Sequence, residues 1–237
     1  MKHLSIVAAL AFAAAGQAIA ADLPEPAAPP PRAPAVYMPV VAPVYNWGGI
    51  YYGINGGYGF GKSEWTTSQV PAATTGNFNA SGFAIGGTVG ANYQMDAFVF
   101  GLEGDVDYMG VDGKTSTSCT PGSCETKNTW LSTARARAGY AADRVLFYGT
   151  AGGAFGNIAA NTSGTTFQSQ TKLGWTAGAG VEAAFADNWT ARVEYLFVDF
   201  QNGSFAQTYG GNPPTPGTTT IKLYENVVRF GIDYKFR

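Results

Sequence analysis

The chain has 237 residues, a formal net charge of −2, 13% charged residues, 14% aromatic residues and 32 glycines. The charged fraction is about half the roughly 25% usual in soluble domains, and the lack of a basic excess argues against a nucleic-acid partner. No stretch reaches the ~18 apolar residues of a membrane-spanning helix, so the high apolar content favours alternating strands.

The segment 1–20 has the pattern of a secretory signal peptide. It starts with the basic Lys2, continues with an apolar run at 4–15 that is too short to span a bilayer, and ends in the small-x-small motif 18–20. We therefore expect the mature chain to begin at Ala21.

The next segment, 21–46, contains eight of the 13 prolines. Such a composition favours extended polyproline II and cannot join a β-ladder. At about 3.1 Å per residue, it could extend on the order of 75 Å. We interpret 21–46 as a tether and 47–237 as the folded domain.

Eight segments of this domain alternate with the two-residue period of a β-strand. In the last one, Val228, Phe230 and Ile232 point one way, whereas Arg229 and Asp233 point the other. The fifth segment is apolar on both faces, so its orientation stays open. The predicted strands are 47–62, 81–94, 97–109, 129–140, 144–156, 171–185, 189–199 and 222–236.

The connections between these strands alternate in length. Long polar loops are predicted at 63–80, 110–128, 157–170 and 200–221, and tight turns at 95–96, 141–143 and 186–188. Short periplasmic turns and long external loops are typical of outer-membrane barrels. The pattern predicts an all-β fold: an eight-stranded antiparallel up-and-down transmembrane β-barrel with the tether on the periplasmic side.

A water-soluble eight-stranded barrel with a dry interior is the alternative. In that barrel the apolar face of each strand would point inward and the charged face outward. Aromatic residues at strand ends favour the membrane barrel, because they suit its two interfacial girdles. These residues are Tyr52, Tyr93, Phe98, Tyr108, Tyr140, Phe185, Trp189 and Phe236.

Charged side chains on the opposite face should line the lumen, and opposite signs should pair there, because an unpaired buried charge is costly. If 186–188 forms a turn, Glu182 faces Arg192 across two strands and is expected to bind it. The predicted lumen charge network is Glu103, Asp105, Asp107, Arg135, Arg137, Glu182, Arg192, Glu194, Arg229 and Asp233, with Lys172 and Lys235 also inside. An eight-stranded barrel is only wide enough for side chains to fill, which favours a filled lumen over a gated water path.

Cys119 and Cys124 flank four residues that include a Pro-Gly turn. An exported chain meets an oxidising compartment, so we predict a small-loop disulfide; two free thiols are the alternative. The only histidine is His3, which lies in the signal peptide. We therefore expect no histidine-based catalysis, no metal site and no cofactor.

Several motifs resemble the alphaproteobacterial outer-membrane β-barrel proteins of the porin family, a group with major surface antigens and hemin-binding proteins. The motifs occur in the family's order over 46–237. They are 46–59 (NWGGIYYGINGGYG), 135–140 (RARAGY), 148–153 (YGTAGG), 194–196 (EYL) and 228–236 (VRFGIDYKF).

The resemblance implies a location in the lipid of a Gram-negative outer membrane and a structural, surface-antigen role in the cell envelope. A small-solute porin and a hemin-binding surface protein are the alternatives. Some related proteins are linked to peptidoglycan through a mature N-terminal Ala-Asp, which Ala21-Asp22 resembles. Ala21 is therefore a candidate attachment point.

Overall fold

Antiparallel strands make up most of the described chain. The computed structural model describes residues 45–67, 73–117, 123–162, 168–209 and 215–236. The strands are β1 (Gly49–Thr67), β2 (Ala73–Met95), β3 (Phe98–Thr115), β4 (Cys124–Ala142), β5 (Val145–Thr162), β6 (Gln168–Ala184), β7 (Trp189–Phe200), β8 (Gly203–Tyr209) and β9 (Thr215–Lys235).

Within these ranges, no helix has the length and the apolar character that crossing a bilayer requires.

The sheet closes on itself. Each strand from β1 to β6 pairs with the next, β7 pairs with β9, and β9 returns to β1. The closing seam is long, since it runs from Tyr51 opposite Lys235 to Thr67 opposite Thr219. Closure gives each of the long strands a partner on both sides.

The short strand β8 continues the path of β7 along the same side of β9. β7 pairs with β9 between Tyr224 and Tyr234, and β8 pairs with its beginning, between Thr215 and Ile221. The two strands are interrupted only at residues 201–202. They form one wall of the barrel, which confirms the predicted eight-stranded antiparallel fold.

The predicted long loops are wrong in extent, because much of their length is strand. β1 runs on to Thr67, β3 to Thr115 and β5 to Thr162, and the predicted loop 200–221 contains all of β8 and the first part of β9. The alternation of apolar and polar residues fades in these Thr-, Ser- and Asn-rich segments, but backbone pairing does not depend on it. The barrel therefore continues well past the apolar band as extended hairpins, and we call this end the hairpin end.

The opposite end, the turn end, has the predicted tight turns. Asp96 and Asp143 have φ angles of 54° and 52°, a left-handed conformation that aspartate tolerates better than most residues. Met95 and Phe98 flank the first of these turns, and four residues separate β6 from β7.

Several predictions fall on residues that the structure does not describe. The signal peptide, the tether as far as Val44, Ala21 and Cys119 all lie outside the described ranges. Cys124 begins β4, and its disulfide with Cys119 stays a prediction.

The outer face of the barrel is apolar and aromatic. Leu102 is 69% exposed and Ile54 is 70% exposed, although both lie within strands that are paired on both sides. The structure also gives the orientation of the fifth strand: Leu146 and Tyr148 point inward, and Phe147 between them points outward. An exposed apolar surface of this extent suits lipid rather than water.

Aromatic rings cluster at the two levels where the apolar band ends. Trp189 packs on Tyr234 with ring centroids 5.1 Å apart near the turn end, and Phe83 packs on Tyr108 at 5.8 Å toward the hairpin end. All eight of the aromatic residues that the sequence placed at strand ends are exposed. They occupy the positions of the two interfacial girdles.

The substitution Leu102→Arg tests which face meets lipid. It places a charge near the middle of the apolar band, so we expect a loss of about 2–4 kcal/mol in the free energy of unfolding. The matched control is Asn79→Arg, at an exposed residue beyond the hairpin-side girdle, where we expect a loss of about 0–1 kcal/mol. Denaturant titration of the barrel in lipid vesicles measures both. Equal losses in the two variants would contradict the assignment of the faces.

Candidate functional site: the barrel interior

The interior has three layers from the turn end to the hairpin end: an aromatic cluster, a layer of charged side chains and an apolar layer. They follow from the alternation of the strands, because every second residue must point into a space that eight strands make narrow. Each layer combines residues from several strands.

The charged layer contains all ten side chains of the predicted network, and each of the ten residues is at most 4% exposed. They come from β3, β4, β6, β7 and β9. Lys235 is also buried, at the turn end of β9, whereas Lys172 is only half-buried.

Arg229 has the most extensive contacts in this layer. Its guanidinium lies 2.7 Å from Asp107 Oδ2, 3.0 Å from Asp105 Oδ2 and 2.8 Å from Glu194 Oε2. Arg135 approaches the same group of acids from β4, with Nη2 2.7 Å from Asp105 Oδ2 and Nη1 3.1 Å from Glu194 Oε1. Two arginines thus share Asp105 and Glu194, and such shared, charge-assisted contacts are among the strong ones.

Glu103 is the second centre of the charged layer. Arg192 Nη1 lies 2.6 Å from its Oε2, the Tyr51 hydroxyl donates a 2.7 Å hydrogen bond to the same oxygen, and Arg135 binds its other oxygen. Arg192 also donates from Nη2 to Thr88 Oγ1 at 2.6 Å. These contacts join β1, β2, β3, β4 and β7 through the interior.

The predicted ion pair between Glu182 and Arg192 is wrong, although the two residues do face each other across β6 and β7. Glu182 instead binds Arg137 of β4 and accepts a 2.6 Å hydrogen bond from Thr190. Arg192 binds Glu103, and its Nε lies 3.4 Å from Asp233 Oδ2. In so narrow a barrel, a long side chain reaches the opposite wall as readily as its cross-strand neighbour.

Aromatic rings and glycines complete this layer. The Arg137 guanidinium lies over the Tyr148 ring, 3.7 Å from its centroid, a cation–π geometry. A Cβ at Gly86 would lie 2.1 Å from Asp107 Oδ1, and one at Gly231 would lie 2.8 Å from Arg192 Nε. The inward-facing glycines therefore leave the space that the charged side chains occupy.

The apolar layer fills the half of the interior next to the hairpin end, and the sequence analysis missed it. The segment 196–198 could have indicated this layer, because Leu196, Phe197 and Val198 are all apolar, as in a strand that is buried on both faces. Phe197 points outward, so Leu196 and Val198 must supply an apolar inner face. Its members are Trp65, Phe78, Ala80, Ala84, Met109, Val111, Cys124, Leu131, Ala154, Ile158, Ala160, Leu196, Val198, Phe200, Ile221, Leu223 and Val227.

Polar contacts cross this apolar layer at two places, Glu225 and Thr126; the Ser63 hydroxyl also lies 3.0 Å from Thr126 Oγ1. Asn128 donates from Nδ2 to both carboxylate oxygens of Glu225 at 3.0 Å. The Trp65 indole N–H donates to Thr126 Oγ1 at 2.8 Å. Both pairs satisfy buried groups within the interior.

The turn end is covered by residues that precede β1. Trp47 is 1% exposed and Tyr45 is 4% exposed; we call Tyr45–Trp47 the strap. The aromatic cluster that the strap forms with the strand ends is Tyr45, Trp47, Val99, Ala141, Leu146, Tyr148 and Ala184.

The comparisons with known proteins agree with this architecture. Residues 5–236 match the model of the outer membrane protein beta-barrel domain family. The chain is 37% identical to the 25 kDa outer-membrane immunogenic protein of Brucella abortus, with 100% of this chain and 99% of the relative covered. It is 33% identical to the 22 kDa outer membrane protein of Rhizobium leguminosarum, with 83% and 81% covered.

Among solved structures, the outer membrane protein OprG from Pseudomonas aeruginosa has a similar fold, with a TM-score of 0.55 at 13% identity over 80% of this chain and 97% of that one. At this identity the likeness shows the fold alone. Because the family model and the relatives extend over most of the chain, the protein belongs to the outer membrane protein beta-barrel family and resides in the outer membrane of a Gram-negative bacterium.

Proposed function

We propose that this barrel has a structural role in the cell envelope and that its lumen is closed to solutes. The observation that carries the proposal is the filled interior, in which the strap, the charged layer and the apolar layer follow one another along the barrel axis. A solute path would have to open all three.

The charged layer supports a structural role more than a gate. Arg229 and Arg135 share Asp105 and Glu194, so moving either arginine leaves these buried carboxylates with one cation fewer. Removing one member of a buried ion pair typically costs about 3–5 kcal/mol. In the apolar layer next to it polar side chains are few, and Asn128 and Glu225 are already hydrogen-bonded to each other there.

The hairpin end supports a role as a surface antigen. β1, β2 and β9 extend beyond the aromatic rings of the girdle and carry exposed polar residues such as Lys62, Asn77 and Lys222. The relatives from Brucella are named immunogenic outer-membrane proteins. We propose that the extended hairpins form the exposed outer surface of this protein.

We further propose that 1–20 is a removed signal peptide, that 21–46 is a periplasmic tether whose last two residues, Tyr45 and Asn46, belong to the strap, and that Ala21 is joined to peptidoglycan. The composition of the tether supports this part of the proposal, since eight prolines favour an extended chain. The turn end, from which β1 begins, then faces the periplasm.

Conductance tests the closed lumen. We expect purified protein, inserted into planar lipid bilayers, to give no stable and reproducible current steps, because side chains fill the interior. Insertion is verified on the same preparation by heat-modifiable migration, and a porin of known conductance serves as the positive control. Discrete steps that recur with one amplitude would overturn the structural proposal and favour the small-solute porin.

The variant Arg229→Met tests the charged layer. It keeps a long side chain but leaves Asp105, Asp107 and Glu194 with one cation fewer, so we expect a loss of about 3–5 kcal/mol in the free energy of unfolding. The control is Arg144→Met. Arg144 lies 3.9 Å from Asp187 at the exposed turn end, and losing this pair should lower the free energy of unfolding by about 0–1 kcal/mol. Denaturant titration gives both values. A loss at Arg229 no larger than at Arg144 would contradict a stabilising role for the layer.

The attachment of Ala21 is tested on isolated sacculi. We expect exhaustive washing in hot detergent to leave the protein bound, and digestion of the sacculi to release a peptide that starts at Ala21 and carries a cell-wall fragment. Mass spectrometry identifies this peptide. Its absence, with all Ala21 recovered as a free amino terminus in the detergent wash, would remove the attachment from the proposal.

A further inference from the structure

The strap, Tyr45–Trp47, is held to three separate parts of the turn end. We propose that it is a mechanical clamp, which transfers a pull on the N-terminal segment to the whole turn end instead of to β1 alone. The biological use of this clamp rests on the proposed envelope role. The contacts that form the clamp do not depend on that role.

Trp47 makes the central contacts. Its backbone N–H donates to Gln94 Oε1 at 2.6 Å, and its indole N–H donates to the carbonyl oxygen of Asp143 at 2.9 Å. Gln94 lies at the end of β2, and Asp143 lies in the turn between β4 and β5. One residue thereby bridges two turns, and its ring is buried among apolar neighbours from β3, β5 and β6.

Tyr45 and Asn46 add a third connection, to the closing strand. Lys235, at the end of β9, donates from Nζ to the carbonyl oxygen of Asn46, and its ammonium lies 4.3 Å from the centroid of the Tyr45 ring. The backbone N–H of Tyr45 donates to Asp143 Oδ1 at 3.3 Å. The rings of Tyr45 and Trp47 meet edge to face at 4.9 Å.

The chain turns away from the line of β1 at Gly49, the first residue of that strand. Gly49 has a φ of +124°, and a Cβ there would lie 2.7 Å from the carbonyl oxygen of Phe236. Only glycine fits this conformation and this approach. The bend sends the strap across the turn end, away from the line of β1.

These contacts change how a pull would act. If force entered at Gly49, it would load the end of β1 and separate its hydrogen bonds to β2 and β9 one after another. With the strap in place, the force meets the contacts of Trp47, Asn46 and Tyr45 at the same time. Contacts that are loaded together resist more than contacts that break in sequence, and forced unfolding is governed by the barrier to that first rupture.

Single-molecule pulling tests the clamp. The full mature chain is inserted in a supported lipid bilayer and pulled by a handle at its N-terminus, for the wild type and for Trp47→Ala. We expect the wild type to show a high-force first rupture and the variant to lose it, so that its first event falls to the force of the later strand ruptures. Heat-modifiable migration verifies beforehand that the variant barrel is folded.

Two further variants keep the result decisive. Trp189→Ala removes a tryptophan from the lipid-facing side of the same end and should keep the high-force first rupture. Gln94→Ala removes the acceptor for the Trp47 N–H, together with the hydrogen bond from Gln94 Nε2 to the carbonyl oxygen of Asp96. It should lower the first rupture force and serves as the test if Trp47→Ala does not fold. A first rupture that is unchanged in the strap variants, or lowered equally by Trp189→Ala, would overturn the clamp. The measurement requires neither attachment to peptidoglycan nor a closed lumen. A negative result would therefore overturn the clamp without overturning the proposed function.

Discussion

The constraint on which the structure depends is that lipid offers no hydrogen-bond partner to the backbone, so every strand must be paired on both sides. The seam between β1 and β9, from Tyr51 opposite Lys235 to Thr67 opposite Thr219, meets this requirement by closing the sheet. Closure by eight strands also fixes a narrow interior that side chains must fill. The layering of that interior is therefore a consequence of pairing the backbone.

Charges in the middle of a membrane protein are costly, and this barrel accommodates them by mutual contact. Arg229 and Arg135 each touch several carboxylates, and glycines such as Gly86 leave space on the facing wall. Several of these contacts join strands that are not neighbours in the sheet, such as Arg135 of β4 with Glu194 of β7 and Arg229 of β9 with Asp107 of β3. The layer thus acts as a set of cross-links between opposite walls, which suits a rigid component of the envelope better than a passage for solutes.

In the proposed orientation, the two ends of the barrel meet different surroundings. Toward the outside, the strands continue past the lipid as paired hairpins that present polar side chains such as Lys62 and Lys222. Toward the periplasm, the turns are short, and the strap fixes Trp47 against Gln94 and Asp143. The barrel wall then positions an exposed polar surface on one side and the strap on the other, which is the arrangement expected of a protein that has the proposed role of linking layers of the envelope.

The sequence by itself determined which face of each strand is apolar, where the tight turns lie and that residues such as Arg229 and Asp233 point inward, because these follow from a local two-residue period. It did not give the partner of Glu182, the apolar layer around Leu196 or the burial of Trp47. These depend on which strands lie opposite each other once the sheet has closed. Trp47 and Asp143, 96 positions apart along the chain, meet only because closure brings the turns together at one end.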